Sequence, residues 1–151
     1  MLIRELSEAM GVSGAEDEVR AIILKAINGY VEDIRIDPLG NVLAVKRGRA
    51  RQADDLRVMV AAHMDEVGFM VMGVESDGTL RLGVVGGFDD RILPGLRLLI
   101  GKDRVPGVFD WAPIHLNREQ KVVELDRLRL DIGASSKEEA NGKVKVGDRA
   151  T

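Results

Sequence analysis

The organisation of the chain follows from one stretch, Val58-Met59-Val60-Ala61-Ala62-His63-Met64-Asp65-Glu66-Val67-Gly68. Its first five residues are apolar, and a short apolar run of this kind predicts a buried β-strand over residues 58–62. His63 and Asp65 then stand at the carboxyl end of that strand, where ligands and catalytic groups collect in open α/β sheets. Residues two apart in an extended segment point the same way, so both side chains are expected to face one cavity, with Met64 turned away.

The pair His63 and Asp65 has two interpretations. A neutral imidazole is a good zinc ligand, and a nearby carboxylate can orient the ring or bind a second metal. The alternative is a half-buried histidine hydrogen-bonded to a local aspartate, with no ligand at all. The spacing His-x-Asp is too short a motif to choose between them.

Composition narrows the possible functions of the 151 residues. The chain is 45% hydrophobic, which is enough for one domain or two small ones, and its net charge is -3. No basic block predicts a nucleic-acid partner, and no basic amphipathic helix predicts a membrane surface. The absence of cysteine excludes disulfides and thiolate metal sites, so a metal site has only carboxylates and two histidines, His63 and His115, to draw on.

No stretch approaches the ~20 apolar residues that a membrane span needs. The start of the chain, Met1-Leu2-Ile3-Arg4-Glu5-Leu6, has no long apolar segment of the kind found in signal peptides. A cytoplasmic location is therefore predicted.

The first part of the chain has the periodicities of an α/β domain. Apolar residues at helical spacing predict a helix over residues 2–9, and a second helix carries one apolar face over residues 19–27. Ser13 and Glu16 have the spacing of a capping box at the start of that second helix. Two strands then flank Asp37-Pro38-Leu39-Gly40, a sequence typical of a type I turn.

After Gly68 the helical periodicity stops and short strand-like runs follow, which predicts a small β-barrel or sandwich and a domain boundary near residue 68. The runs are Phe69–Val74, Thr79–Val85, Leu96–Ile100, Arg104–Phe109 and Leu128–Ile132. Ser136 and Glu139 have capping-box spacing and predict a short helix at about 136–141. Residues 144–148 are either a last strand or a return to the first domain.

Two residues of the second part have open interpretations. His115 lies in a proline-containing loop, and a structural or surface histidine is favoured there over a metal ligand. Trp111 is an interface anchor if it is exposed and a core residue if it is buried, and the interface is slightly favoured.

A resemblance to the first metal motif of the glutamyl-aminopeptidase family is carried by Ala62-His63-Met64-Asp65-Glu66-Val67-Gly68-Phe69. Members of this family form tetrahedral particles, and some were once labelled endoglucanases. Two later segments are also similar to the family. They are Leu130-Asp131-Ile132-Gly133-Ala134-Ser135-Ser136-Lys137-Glu138-Glu139-Ala140 and Val144-Lys145-Val146-Gly147-Asp148. The resemblance covers nearly the whole chain.

The resemblance implies a fold that combines α/β and all-β parts. Residues 1–67 correspond to the start of a zinc-peptidase α/β domain, and residues 68–148 to a β-barrel inserted into it that mediates assembly. Residues 149–151 correspond to a return to the peptidase domain, short of the family's next metal motif. A homo-oligomer is expected.

The resemblance also implies a function and its residues. His63 matches a metal ligand, and Asp65 matches the catalytic acid that orients it, in a site that holds two divalent metals, zinc or cobalt, and removes N-terminal residues from peptides. The family's other ligands and its catalytic glutamate have no match here. We therefore expect the chain alone to bind no metal stably and to be inactive. The alternatives are a non-catalytic homo-oligomerising β-domain and a small protein that binds metal through His63 and Asp65 alone.

Overall fold

The computed structural model of the chain describes residues 1–48, 56–111 and 123–151. It divides into two compact units, Met1–Asp65 and Glu66–Thr151. The division lies within a few residues of the boundary at residue 68 that the change of periodicity indicates.

The described residues of the first unit form two helices and a hairpin. Helix α1 spans Leu2–Glu8, helix α2 spans Asp17–Ile27, and the antiparallel strands β1 and β2 span Glu32–Ile36 and Val42–Val45. The turn between the strands forms because the carboxylate of Asp37 accepts the backbone N–H groups of Leu39 and Asn41, each at 2.9 Å. The Asn41 side-chain amide also donates to this carboxylate, over 2.8 Å. It is the largest cause of a pKa of Asp37 below its ordinary value, and the two backbone bonds lower that pKa further.

In the second unit, the described residues form a closed barrel of six strands. Their bounds are β3 Gly68–Val74, β4 Leu80–Val85, β5 Arg97–Ile100, β6 Val105–Phe109, β7 Leu130–Asp131 and β8 Arg149–Ala150. They follow one another around the barrel in the order β3-β4-β7-β6-β5-β8. The alternation of apolar residues places side chains such as Phe69, Leu80, Ile100 and Leu130 in the interior with no exposed surface. The predicted barrel is therefore confirmed.

Strand β8 closes the barrel and lies beyond the predicted limit at residue 148. Ala150 pairs with Phe69 on β3 and with Ile100 on β5, so β8 fills the gap between the two edges. Residues 149 and 150 thus belong to the barrel and not to a return segment. The physical reason is that β3 and β5 would otherwise leave two unpaired edges.

The short helix predicted after Ser136 is confirmed as α3, Lys137–Asn141. The Ser136 hydroxyl accepts the Glu139 N–H at 3.2 Å, and the Glu139 carboxylate accepts the Ser135 N–H at 2.9 Å. The hydrogen bond from the Ser135 N–H is the largest cause of a lowered pKa for Glu139, and the hydrogen bond from Lys143 is the second. Serine and glutamate here stabilise a helix start, as their spacing indicates.

Two local predictions are wrong. Residues 58–62 form no hydrogen-bonded strand, because no strand of the described residues pairs with them, and an isolated extended segment has no ladder to join. Ser13 does not cap α2, whose first flanking residue is Glu16. The Ser13 hydroxyl bonds Asp65 instead.

Trp111 is half-buried and packs against the barrel core, so the structure favours the core interpretation over the interface. His115 lies outside the described residues. Within the described ranges, no helix is both long and apolar enough to cross a membrane.

Candidate active site

The segment that carries His63 borders a groove in the first unit. The groove has a volume of about 430 Å³ and lies between α2, β2 and residues 60–65. Apolar side chains from α2 and β2 form one wall, among them Ile23, Ile27 and Val42. His63 and Asp65 both line it, as the sequence predicts. Met64 lines it as well, contrary to the prediction, because the segment is not a regular strand with alternating sides.

The His63 ring is held by the residue two positions on. Its Nδ1 atom lies 2.8 Å from the backbone carbonyl oxygen of Asp65 and 3.1 Å from the Asp65 carboxylate oxygen Oδ1. A carbonyl oxygen only accepts hydrogen bonds, so Nδ1 carries the proton and donates it. In the neutral ring, Nε2 is then the nitrogen with a lone pair for a ligand.

Asp65 is in turn held by Ser13, whose hydroxyl donates a hydrogen bond to the carboxylate oxygen Oδ2. The Ser13 hydroxyl is the main cause of a lowered pKa for Asp65. Burial opposes it, and the bond from His63 adds a lesser lowering of the same pKa. Asp65 is therefore a carboxylate at neutral pH. The three residues form a chain of contacts, Ser13 to Asp65 to His63.

A third acidic side chain, Glu16, lines the same groove. Its Oε1 atom accepts the Gly14 N–H at 2.6 Å, and its Oε2 atom lies 3.8 Å from the Arg20 guanidinium. Within the described part of the chain, no three His, Asp or Glu side chains are grouped so that they could hold a metal ion. The groove thus offers one oriented imidazole with a carboxylate behind it, which fits one ligand of a metal site and not a whole site.

The contact of Ser13 with Asp65 is not predictable from the sequence. The spacing of Ser13 to Glu16 is that of a helix cap, and a contact across 52 residues has no signal in a local pattern. The sequence places Ser13 before α2 but gives no sign that Asp65 is its partner.

The chain is 37% identical to the lysyl aminopeptidase of Pyrococcus furiosus over 146 residues, which is 92% of this chain and 41% of that protein. It is similar to the crystal structure of a TET aminopeptidase from a marine-sediment archaeon of the Thaumarchaeota, with a TM-score of 0.88 and 35% identity, over 99% of this chain and 43% of that one.

A third relative is the TET1 peptidase of Pyrococcus horikoshii, described as assembling into a tetrahedron or a large octahedral shell. The TM-score is 0.85 at 33% identity, and the match covers 100% of this chain and 46% of that one. The chain thus spans less than half the length of each of these relatives.

The resemblance noted at the His63 motif is therefore supported by comparisons that extend across both units. Residues 40–151 match the M42 glutamyl aminopeptidase family. The chain belongs to the M42 glutamyl aminopeptidase family.

Proposed function

We propose that this chain supplies the first metal-binding segment of a two-metal aminopeptidase site, with His63 as a ligand through Nε2 and Asp65 as the acid that orients it. The observation that carries the proposal is the hydrogen bond from His63 Nδ1 to the Asp65 carbonyl oxygen, 2.8 Å long. Together with the Asp65 carboxylate oxygen at 3.1 Å, it favours the tautomer that leaves Nε2 for a metal, which is how metal-ligating histidines are commonly held.

The remaining chemistry requires more donors than this segment has. A catalytic zinc takes about three protein ligands, and a bridged pair of metals takes more. Two divalent ions, zinc or cobalt, would lower the pKa of a bound water when the site is complete. His63 and Asp65 alone leave most of the coordination sphere to solvent. We therefore propose that the chain by itself binds metal weakly and does not turn over substrate.

The substrate class follows from the relatives. The Pyrococcus furiosus relative is named a lysyl aminopeptidase, and the family is described as glutamyl aminopeptidases. A complete site built on this segment would accordingly remove N-terminal residues from peptides. The residue preferred at the substrate N-terminus does not follow from the groove, whose described walls are mixed apolar and polar.

The two units would have different roles. Residues 1–67 are proposed as the start of the peptidase domain in the cytoplasm, and the barrel as a module that supports homo-oligomer assembly. The similarity of the whole chain to a relative that forms a tetrahedron or an octahedral shell supports assembly. A barrel that assembles without any catalytic role is the second candidate, and the metal test below separates the two.

The experiment measures zinc binding and aminopeptidase activity on the same sample. Zinc is titrated calorimetrically into the chain, its His63→Ala variant and a matched His115→Ala control, and leucyl, lysyl and glutamyl anilides are assayed with zinc or cobalt added. We expect weak zinc binding that disappears in His63→Ala and persists in His115→Ala, with no turnover above background.

Two results would contradict the proposal. Zinc binding that is unchanged in His63→Ala would remove His63 as a ligand and leave the barrel-only function. Turnover that depends on His63 would show that a partner copy completes the site, so the segment is not inactive alone.

A further inference from the structure

We propose that Ser13 is a positioning residue of this site, which orients the Asp65 carboxylate and through it the His63 ring. The inference rests on the proposed function of His63 and deepens it. It is drawn from the contact between Ser13 and Asp65, and it assigns the turn before α2 to the site.

The turn presents the Ser13 hydroxyl because its own backbone groups are already bonded. The Ala15 N–H donates to the Val12 carbonyl at 2.8 Å, and the Gly14 N–H donates to the Glu16 carboxylate at 2.6 Å. Glu16 thus satisfies the Gly14 N–H, and α2 itself has no side-chain cap. The Ser13 hydroxyl is left for Asp65, to which it donates.

The turn is also packed tightly, so the position of the Ser13 hydroxyl is well defined. Val12 is 1% exposed. A Cβ atom on Gly11 would lie 2.7 Å from the Val19 side chain on α2 and 3.3 Å from the Met64 carbonyl oxygen. Glycine therefore allows this segment to lie directly against the residue between His63 and Asp65.

The Asp65 carboxylate needs such a support. Its side chain is 41% exposed, and an exposed carboxylate with one partner is free to rotate. Here the two oxygens have different partners: Oδ2 accepts the Ser13 hydroxyl, and Oδ1 lies 3.1 Å from His63 Nδ1. The Ser13 bond fixes the plane of the carboxylate and with it the direction in which the second oxygen meets the ring.

The test compares Ser13→Thr with Ser13→Val, two variants of nearly the same shape of which only threonine keeps the hydroxyl. The first readout needs no metal: long-range ¹⁵N–¹H correlation spectra at about pH 8.5, well above the range where imidazole ordinarily titrates, report which His63 nitrogen carries the proton. The second readout is zinc titration followed at the His63 resonances, assigned with the help of a His115→Gln variant.

We expect Ser13→Thr to keep the Nδ1-protonated tautomer and the zinc affinity of the parent chain. Ser13→Val should lose part of that tautomer and bind zinc roughly 3- to 10-fold more weakly, below the 10- to 100-fold loss that removal of a direct partner of a metal-ligating histidine typically causes. In an Asp65→Asn background, Ser13→Val should have no further effect on the affinity, because Ser13 acts through the carboxylate.

Three results would overturn the role of Ser13. The first is no change of tautomer or zinc affinity in either variant, and the second is an equal loss of both in the two variants. The third is a loss of zinc affinity in Ser13→Val that adds to that of Asp65→Asn. Failure of the proposed function is distinguishable, because zinc would then leave the His63 resonances of the parent chain unmoved. The metal-free tautomer measurement would still decide on Ser13.

Discussion

The guanidinium of Arg20 on α2 donates a hydrogen bond from Nε to the carbonyl oxygen of Gly40 in the β1–β2 turn, over 2.9 Å. The Arg20 side chain is only 16% exposed, so this bond joins helix and hairpin in a partly buried position. Gly40 has a φ of +89°, and a Cβ atom there would lie 2.6 Å from the Arg20 nitrogen Nη2.

Gly40→Ala should therefore destabilise the first unit by about 2–3 kcal/mol, because a strained φ is combined with displacement of the guanidinium from its carbonyl. Gly29→Ala is the matched control, since Gly29 has a φ of +79° and nothing within 4 Å of its Cβ position. This control should lower the stability of the first unit by about 1 kcal/mol, because only the left-handed backbone is strained. Hydrogen exchange of the α2 backbone amides measures the loss of stability in both variants. Equal losses in Gly40→Ala and Gly29→Ala would refute the role of the Arg20 contact.

The barrel core depends on a group of aromatic rings. Phe69 has no exposed surface, stacks on Phe88 at 4.4 Å between ring centroids and meets Phe109 edge-on at 5.3 Å. Phe69→Ala should lower the free energy of unfolding by about 3–5 kcal/mol through a cavity that the closed barrel cannot fill. Urea unfolding followed by Trp111 fluorescence measures it. Met72→Ala on the same strand, at a side chain that is half exposed, should change it by about 0.5 kcal/mol or less.

The ion pair of Asp89 and Arg91 predicts a pH dependence in the barrel unit. The Arg91 side chain, bonded to Asp89 with Nε–O distances of 2.8 and 2.9 Å, lowers the pKa of Asp89 to about 2. A carboxyl with a lowered folded-state pKa contributes stability above its unfolded pKa of about 3.9, and that contribution is lost as the pH falls toward 2. NMR titration should show the Asp89 pKa returning toward its ordinary value in Arg91→Gln. The same titration in Arg97→Gln should leave it at about 2.

The exposed run of the first unit predicts self-association. Val58, Met59 and Val60 are 74%, 89% and 91% exposed, an apolar stretch of a kind that normally finds a partner surface. We expect light scattering to show a dimer or larger species at micromolar concentrations. The double variant Met59→Ser, Val60→Ser should reduce the mass, whereas Val146→Ser in the other unit, 65% exposed, should not. A stable monomer of the parent chain at high concentration would refute the prediction.

The parts of the fold that the sequence predicts well are those with local causes. The apolar helix face predicted over residues 19–27 lies in α2, although the helix does not start at Ser13. The turn at Asp37 and the start of α3 at Ser136 are found as predicted, and all three depend on contacts within a few residues. The barrel was predictable because regular short strands with turn residues have few other ways to bury their apolar faces. His63 and Asp65 line one groove, as their spacing predicts, although the segment that carries them is not a regular strand.

The parts that the sequence did not predict depend on distant partners. Residues 58–62 have the composition of a strand, but a strand exists only where another strand pairs with it. Ser13 has the spacing of a helix cap, yet its hydroxyl is bonded to a residue far along the chain. Strand β8 is two residues long, too short for any periodicity, and is defined by the two edges that it joins.

Because the short strand β8 pairs with β3, the two ends of the barrel segment lie side by side. Met70 pairs with Arg149 and Phe69 with Ala150 in antiparallel register, so the chain enters and leaves the module within about 5.5 Å of itself. A host domain could therefore gain or lose such a module at a single surface loop without moving the residues on either side. Tension applied through the two ends would pull β8 away from β3 and from β5 at the same time, breaking the hydrogen bonds on both of its sides.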